Sequence, residues 1–323
     1  MKKAILHTIG ALALCGGAVY GATDYLARTA MDREQPKSLV WAMGLLEGRK
    51  KGEDPYAGLT ESWERLRSAP HERVELRAHD GVRLVGHWFP VPEARRVILA
   101  VHGWRSRWYR DFGAVADFWQ ENGCSVLYIE QRGQGGSEGD YIGFGLLERD
   151  DIPDWLGWLR ERCGGQVPTY LAGISMGATT VLMAADLDLP ENVRGIMADC
   201  GFTSPDGIWR HVARDNLHLP YVLSGWMADR LCRRKLGLSA KARSTTEALR
   251  RCRVPVLFFH GEADSFVPVE MTWENYAACA APKRILTVPG AVHGMSYLLD
   301  REGYEAAELQ FFADYDQAPA SPQ

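Results

Sequence analysis

An α/β architecture is predicted: a mostly parallel central sheet flanked by helices, with a helical cap inserted before the last two strands. Three observations predict it. Continuous apolar runs, such as Arg96 to Val101 and Val254 to His260, have the pattern of strands buried on both faces. Stretches of helical spacing alternate with these runs, which is the rhythm of βαβ units. Thr203 to Leu249 breaks that rhythm with charges and scattered aromatics but no buried-strand pattern.

The 323 residues suffice for one large domain with an insertion, and the 46% hydrophobic and 24% charged composition is that of an ordinary globular protein. A net charge of -4 argues against a dedicated nucleic-acid binder, which would want a basic excess. Seven cysteines occur without a Cys-x-x-Cys pair or a His/Cys spacing suited to zinc, so structural thiols are expected.

Taken in order, Met1-Lys2-Lys3 precedes an uncharged apolar stretch, Ala4 to Ala22, close to the roughly 20 residues that span a bilayer. Residues 1–30 are expected to be a signal anchor, with the catalytic domain outside the cytoplasm; secretion after cleavage behind Gly21 is the alternative. Residues 31–70 are polar and helix-compatible, a juxtamembrane connector. The domain follows at 71–315, with the cap at 203–250 and a frayed tail at 316–323. In Val74, Leu76 and Ala78, then Val82 and Leu84, apolar and polar residues alternate around Asp80-Gly81, which predicts a β-hairpin. The strand Arg96 to Val101 ends in His102-Gly103-Trp104. Phe112 to Asn122 reads as a helix, Ser125 to Ile129 as a strand and Leu147 to Arg162 as a helix. Gly195 to Ala198, Val254 to His260 and Arg284 to Val288 are further strands, and Gly303 to Tyr315 is a closing helix.

Between Val167 and Ala185 an apolar run passes through Gly173-Ile174-Ser175-Met176-Gly177 into small, helix-compatible residues. A G-x-S-x-G between a strand and a helix lifts the serine oxygen out of the sheet, and glycines avoid collision with the neighbouring strand and helix. A serine nucleophile needs a base and a carboxylate that orients the base. Of nine histidines, His102 and His260 directly precede glycines at strand ends, where a histidine fixes loop geometry. His293, in a glycine-bounded loop after the last strand, can point back over Ser175. Asp264, after the penultimate strand, is the candidate carboxylate, with Glu262 its nearest rival. The N–H groups of Met176 and Trp104 are candidate donors to an oxyanion, and Trp209, Tyr221 and Trp226 could line an acyl pocket under the cap.

These segments together resemble the α/β-hydrolase superfamily, and within it the bacterial serine-aminopeptidase-type and monoacylglycerol-lipase-like hydrolases, many of them predicted to be membrane-anchored. Val101-His102-Gly103-Trp104 resembles the oxyanion-loop motif. Glu130 to Ser137 resembles the Asp-x-Arg-Gly-x-Gly-x-Ser loop, with Glu130 in place of the aspartate. His260 to Asp264 is similar to the acid loop, His293-Gly294 to the base loop, and Asp199 to Ser204 to a segment of the anchored subgroup. The resemblance implies acyl transfer from a small-molecule ester through an acyl-enzyme on Ser175, with His293 as base, Asp264 behind it and no metal or cofactor. A peptidase or amidase with the same residues, and a non-catalytic anchored binding protein of the same fold, are the alternatives.

Overall fold

The computed structural model describes residues 20–34 and 58–317. Helical residues 20–31 (α1) and Leu59–Ser68 (α2) precede the hairpin strands Glu72–Arg77 (β1) and Arg83–Phe89 (β2). Then come Arg96–Val101 (β3), Trp108–Phe112 (α3), Ala116–Glu121 (α4), Cys124–Glu130 (β4), Ile152–Cys163 (α5), Thr169–Ile174 (β5), Met176–Met183 (α6) and Val193–Asp199 (β6). The interruption holds Pro205–His211 (α7), Tyr221–Leu236 (α8) and Thr245–Leu249 (α9). Val256–Gly261 (β7), Val269–Ala278 (α10), Lys283–Val288 (β8), Ser296–Leu299 (α11) and Arg301–Tyr315 (α12) complete the chain.

The strands form one eight-stranded sheet in the order β1-β2-β4-β3-β5-β6-β7-β8. Only the pairs involving the hairpin, β1 with β2 and β2 with β4, are antiparallel. The apolar runs become strands here because both faces are covered. In β3 every residue is buried, with Val97, Leu99 and Val101 facing one apolar cluster and Ile98 and Ala100 the other. A third cluster, containing Phe144, Met176, Phe202, Trp209 and Leu231, lies where the cap meets the end of β5. Chain order reverses about β3, β4 and β5, and in such sheets ligands bind beyond the carboxyl ends of the strands at the reversal.

Two predicted helices differ in their bounds. The helix expected at Phe112 to Asn122 is two short ones, parted around Gly113. There the chain runs so close to the carbonyls of Tyr109 and Ser62 that a Cβ would meet them at 2.6 and 3.0 Å. The helix expected from Leu147 starts at Ile152, because Pro153 suits a first turn and not an interior. Its Ile152, Trp155, Leu156 and Leu159 form the buried stripe, and Gly164 ends it with φ 75°.

The expected signal anchor falls mainly on residues outside those described. Among the described residues no helix is long and apolar enough to cross a membrane. The boundary drawn at residue 30 divides a helical segment whose Ala27 and Met31 are buried in the third cluster, so residues 20–34 pack as part of the α/β domain. The reason is a second periodicity: Thr23, Ala27, Ala30 and Met31 recur at helical spacing toward the domain.

One buried acid affects stability. Burial pushes the Glu308 carboxyl up to about 8, although the Trp119 indole donates to it at 2.7 Å. The folded chain therefore keeps a proton that the unfolded chain releases above its ordinary value of 4.5, and stability falls between those two pH values. Glu308→Gln keeps an oxygen for the indole and removes this dependence. By calorimetry it is expected to raise the melting temperature by a few degrees near pH 8 and to leave it close to the parent's below pH 4.5.

Candidate active site

Ser175 stands between β5 and α6 with φ 56° and ψ -119°, a left-handed conformation that a residue other than glycine adopts only at a cost of ~1–3 kcal/mol. The two glycines make the turn possible. A Cβ on Gly177 would stand 1.9 Å from the Val101 carbonyl oxygen, and one on Gly173 2.4 Å from the Gly177 backbone. The Ser175 N–H donates to the Asp199 carbonyl at 2.8 Å, which ties the turn to β6.

The loops after β7 and β8 bring the other two candidates over it. His293 Nε2 lies 3.0 Å from Ser175 Oγ, and His293 Nδ1 lies 2.6 Å from Asp264 Oδ2. The other oxygen of Asp264 accepts the N–H groups of Phe266 and Val267, both at 2.9 Å. Burial by itself would raise the Asp264 carboxyl. The charge of His293 and hydrogen bonds from His260, His293 and the Val267 N–H outweigh it and hold the group well below the usual carboxylate range. Burial lowers His293, but the charge and hydrogen bond of Asp264 prevail, so its pKa lies above the ordinary 6.5. Glu262 is exposed and instead accepts from Thr287 at 2.7 Å.

The other two strand-end histidines hold loops. His260 sits between Thr272 Oγ1, at 2.6 Å, and the Val267 carbonyl, at 2.8 Å. His102 lies 2.8 Å from the Gly103 carbonyl and accepts the Gln131 N–H at 3.3 Å. In the loop after β3, Gly103 gives its N–H to Asp111 at 2.7 Å, so Trp104 carries the next backbone donor. Met176 is the first residue of α6, and an N–H there has no partner within its own helix.

Asp111 is a site residue that the sequence does not single out; nothing in its spacing marks it. The 130–139 loop braces this end of the sheet. Arg132 pairs with Asp151 and Asp80, and Gln131 donates to the His102 carbonyl at 2.6 Å. Glu130, in the position where the family has aspartate, accepts the Gly136 N–H and lies 3.0 Å from His87 Nε2.

The three candidate pocket aromatics separate. Trp209 packs edge-on against Phe144, ring centroids 5.3 Å apart, in the cluster that holds Met176 and Trp104. Tyr221 and Trp226 are not brought to that cluster. They line a cavity of about 600 Å³ formed wholly by residues of the cap, with Asp206, Arg210, Asp229 and Lys241 around it, and Trp226 is 62% exposed. Helix α8 turns these rings away from Ser175 because its Leu231, Cys232 and Leu236 take the inward face. Phe266, which the sequence does not flag, instead packs on the His293 ring at 5.1 Å.

Cys200, Asp264 and His293 place ligand-type atoms within 4.8 Å of one another, as do His79, Asp151 and Asp154. Neither group fits a cation. Asp264 and His293 are bonded to each other, burial pushes the Cys200 thiol far up, and Asp151 is taken by Arg132.

A serine on a strained strand-to-helix turn, at the carboxyl edge of a mostly parallel sheet, defines a hydrolase of the α/β-hydrolase class. The family model described as serine aminopeptidase, S33, matches residues 92–235. The bifunctional esterase/perhydrolase DCH of Acinetobacter calcoaceticus is 35% identical over 63% of this chain and 87% of its own. The uncharacterized protein YqkD of Bacillus subtilis is 28% identical over 58% of this chain; the match spans 62% of YqkD. The esterase Pf2001 of Pyrococcus furiosus superposes with a TM-score of 0.61 at 20% identity, over 83% of this chain and 98% of that one, a likeness of fold. The chain belongs to the α/β-hydrolase superfamily, as its motifs led one to expect.

Proposed function

We propose that the protein is a carboxylic-ester hydrolase acting through an acyl-enzyme on Ser175. The observation that carries this reading is the series Ser175 Oγ, His293 and Asp264, at 3.0 and 2.6 Å. Neutral His293 takes the Ser175 proton on Nε2 as Oγ attacks the ester carbonyl, while its Nδ1–H stays directed at Asp264, whose carboxylate stabilises the imidazolium. The oxyanion accepts from the Met176 and Trp104 N–H groups. His293 then protonates the leaving alcohol, and water repeats both steps to release the acid. Phe144, Phe202, Trp209 and Phe266 offer the acyl chain an apolar surface.

An aminopeptidase would need a carboxylate free to hold a substrate ammonium. The acids lining the cap cavity, Asp206 and Asp229, are paired with Arg210 and Arg233, at 2.8 and 2.9 Å, which favours the ester reading. The apolar residues 4–22 support membrane anchoring.

A series of p-nitrophenyl esters from acetate to palmitate, alongside aminoacyl p-nitroanilides, tests the reading. Turnover of esters with a chain-length optimum is expected. Anilide hydrolysis without ester hydrolysis would replace the proposal with a peptidase, and no turnover together with no labelling of Ser175 by a fluorophosphonate would replace it with a binding protein.

Asp264→Asn is expected to lower kcat about 10⁴-fold by favouring the wrong His293 tautomer. In the parent the acid limb of kcat/KM should lie above pH 6.5, because His293 must be neutral to act and Asp264 raises its pKa. Without that charge the limb should move to lower pH, which a pH–rate profile of both proteins reads directly.

A further inference from the structure

The end of helix α1 is closed by the loop that follows β3. The last carbonyls of a helix have no partner within it, and here the loop supplies donors. The Trp104 indole donates to the Ala30 carbonyl at 2.8 Å. The Arg105 guanidinium donates to Thr29 at 2.7 Å, to Arg33 at 3.2 Å and to Asp32. Burial pushes this guanidinium down to about 10, with the Asp32 charge opposing, so the contact is made at a desolvation cost. Arg105 also holds a left-handed φ of 52°, fixed by its own N–H donating to Gln134 at 2.6 Å.

The same segment also meets the loop after β4. Arg33 donates to the carbonyls of Gly135, at 2.8 Å, and Gly139, at 3.2 Å, and the Met31 carbonyl accepts from the Ile142 N–H at 2.6 Å. Asp32 pairs with Lys235 of the cap at 2.6 Å. Met31 is fully buried in the cluster that includes Met176 and Trp104. Residues 20–34 thus join the loop bearing one oxyanion donor, the apolar surface beside the other, and the cap.

We infer that residues 20–34 are a strap that positions the oxyanion loop, with Arg105 the positioning residue through which the strap sets the direction of the Trp104 N–H. This rests on the esterase reading and adds to it. It gives a segment continuous in sequence with the apolar residues 4–22 a direct effect on turnover. An amide beside a strained residue is aimed only while its neighbours are held, and a misdirected donor acts on the transition state and hardly on substrate binding.

The test compares the full-length parent with Arg105→Ala, Arg105→Lys and Trp104→Phe, the last of which removes the indole N–H but keeps a ring and the backbone amide. On p-nitrophenyl butyrate, kcat is expected to fall about 10- to 100-fold in Arg105→Ala, with KM within about threefold. Trp104→Phe should show a smaller loss of the same kind. Arg105→Lys should recover part of the rate, since a lysine supplies the charge but not the planar fork. Hydrogen exchange should quicken in residues 20–34 and 103–107 together, with the sheet amides unchanged. Faster exchange in 20–34 with an unaltered kcat would overturn the inference, as would a loss of kcat with the strap still protected. If the parent itself cleaves no ester, it is the functional reading that fails. The strap is then judged by exchange alone, and independent exchange of the two segments in Arg105→Ala overturns it.

Discussion

Ser175→Ala is expected to lower kcat for the best p-nitrophenyl ester by about 10⁴ to 10⁶, with little change in fold or melting temperature. In the proposed mechanism Ser175 Oγ is the atom that bonds to the substrate carbonyl, and no neighbouring group can substitute for it at 3.0 Å from His293. Alanine fits the same backbone turn without a clash, because the Cβ of Ser175 is already accommodated. The backbone donors at Met176 and Trp104 remain, so residual hydrolysis above the uncatalysed rate should survive. The measurement is steady-state kinetics on protein purified beside the parent, with loss of fluorophosphonate labelling as a second readout. Ester turnover that persisted at the parental rate would remove Ser175 from the mechanism, and with it the proposed function.

Gly177→Ala is expected to be the most damaging single methyl group among the described glycines. The added carbon would lie 1.9 Å from the Val101 carbonyl oxygen, 2.6 Å from its carbon and 2.8 Å from the His102 carbonyl oxygen. All three are backbone atoms of a fully buried strand end, held by β4 and β5 on either side, so none can yield as a flexible side chain would. Relief must come from moving α6 away from the sheet, which would also withdraw the Met176 N–H from its place beside Ser175. The expected cost is on the order of 4 kcal/mol or more, in the range of the most severe substitutions. Denaturant unfolding, or failure to recover soluble protein, reads it. A variant with parental stability and parental turnover would show that the turn is looser than its contacts imply.

Much of the site was legible in sequence because its parts are local or follow from topology. Gly173 to Gly177 states its own geometry: a strand, a turn too tight for side chains and a helix start are all written in five residues. Asp264 and His293 were reached through position after the last two strands, since a mostly parallel sheet gathers its strand ends at one edge. What escaped was set by how side chains meet in three dimensions, with no periodicity or motif to announce it. Asp111 pins Gly103, Phe266 packs on His293, and Arg105 caps a helix more than seventy residues earlier. Tyr221 and Trp226 resembled pocket residues because aromatics in a cap suggest a binding surface, but the direction in which α8 faces is decided by what covers it. Its Leu231 and Leu236 pack better against the cluster containing Met31, Phe202 and Ile208 than two rings with polar tips would.

By itself the sequence determined the α/β class, the strand–turn–helix of the elbow and the three residues of the proposed relay, because periodicity, turn chemistry and chain topology act over short range. Only the tertiary structure decided which aromatics meet the site and that residues 20–34 belong to the α/β domain. The first depends on which face of α8 the core covers, the second on the free carbonyls at the end of a helix finding buried donors far along the chain, and no local pattern encodes either partner.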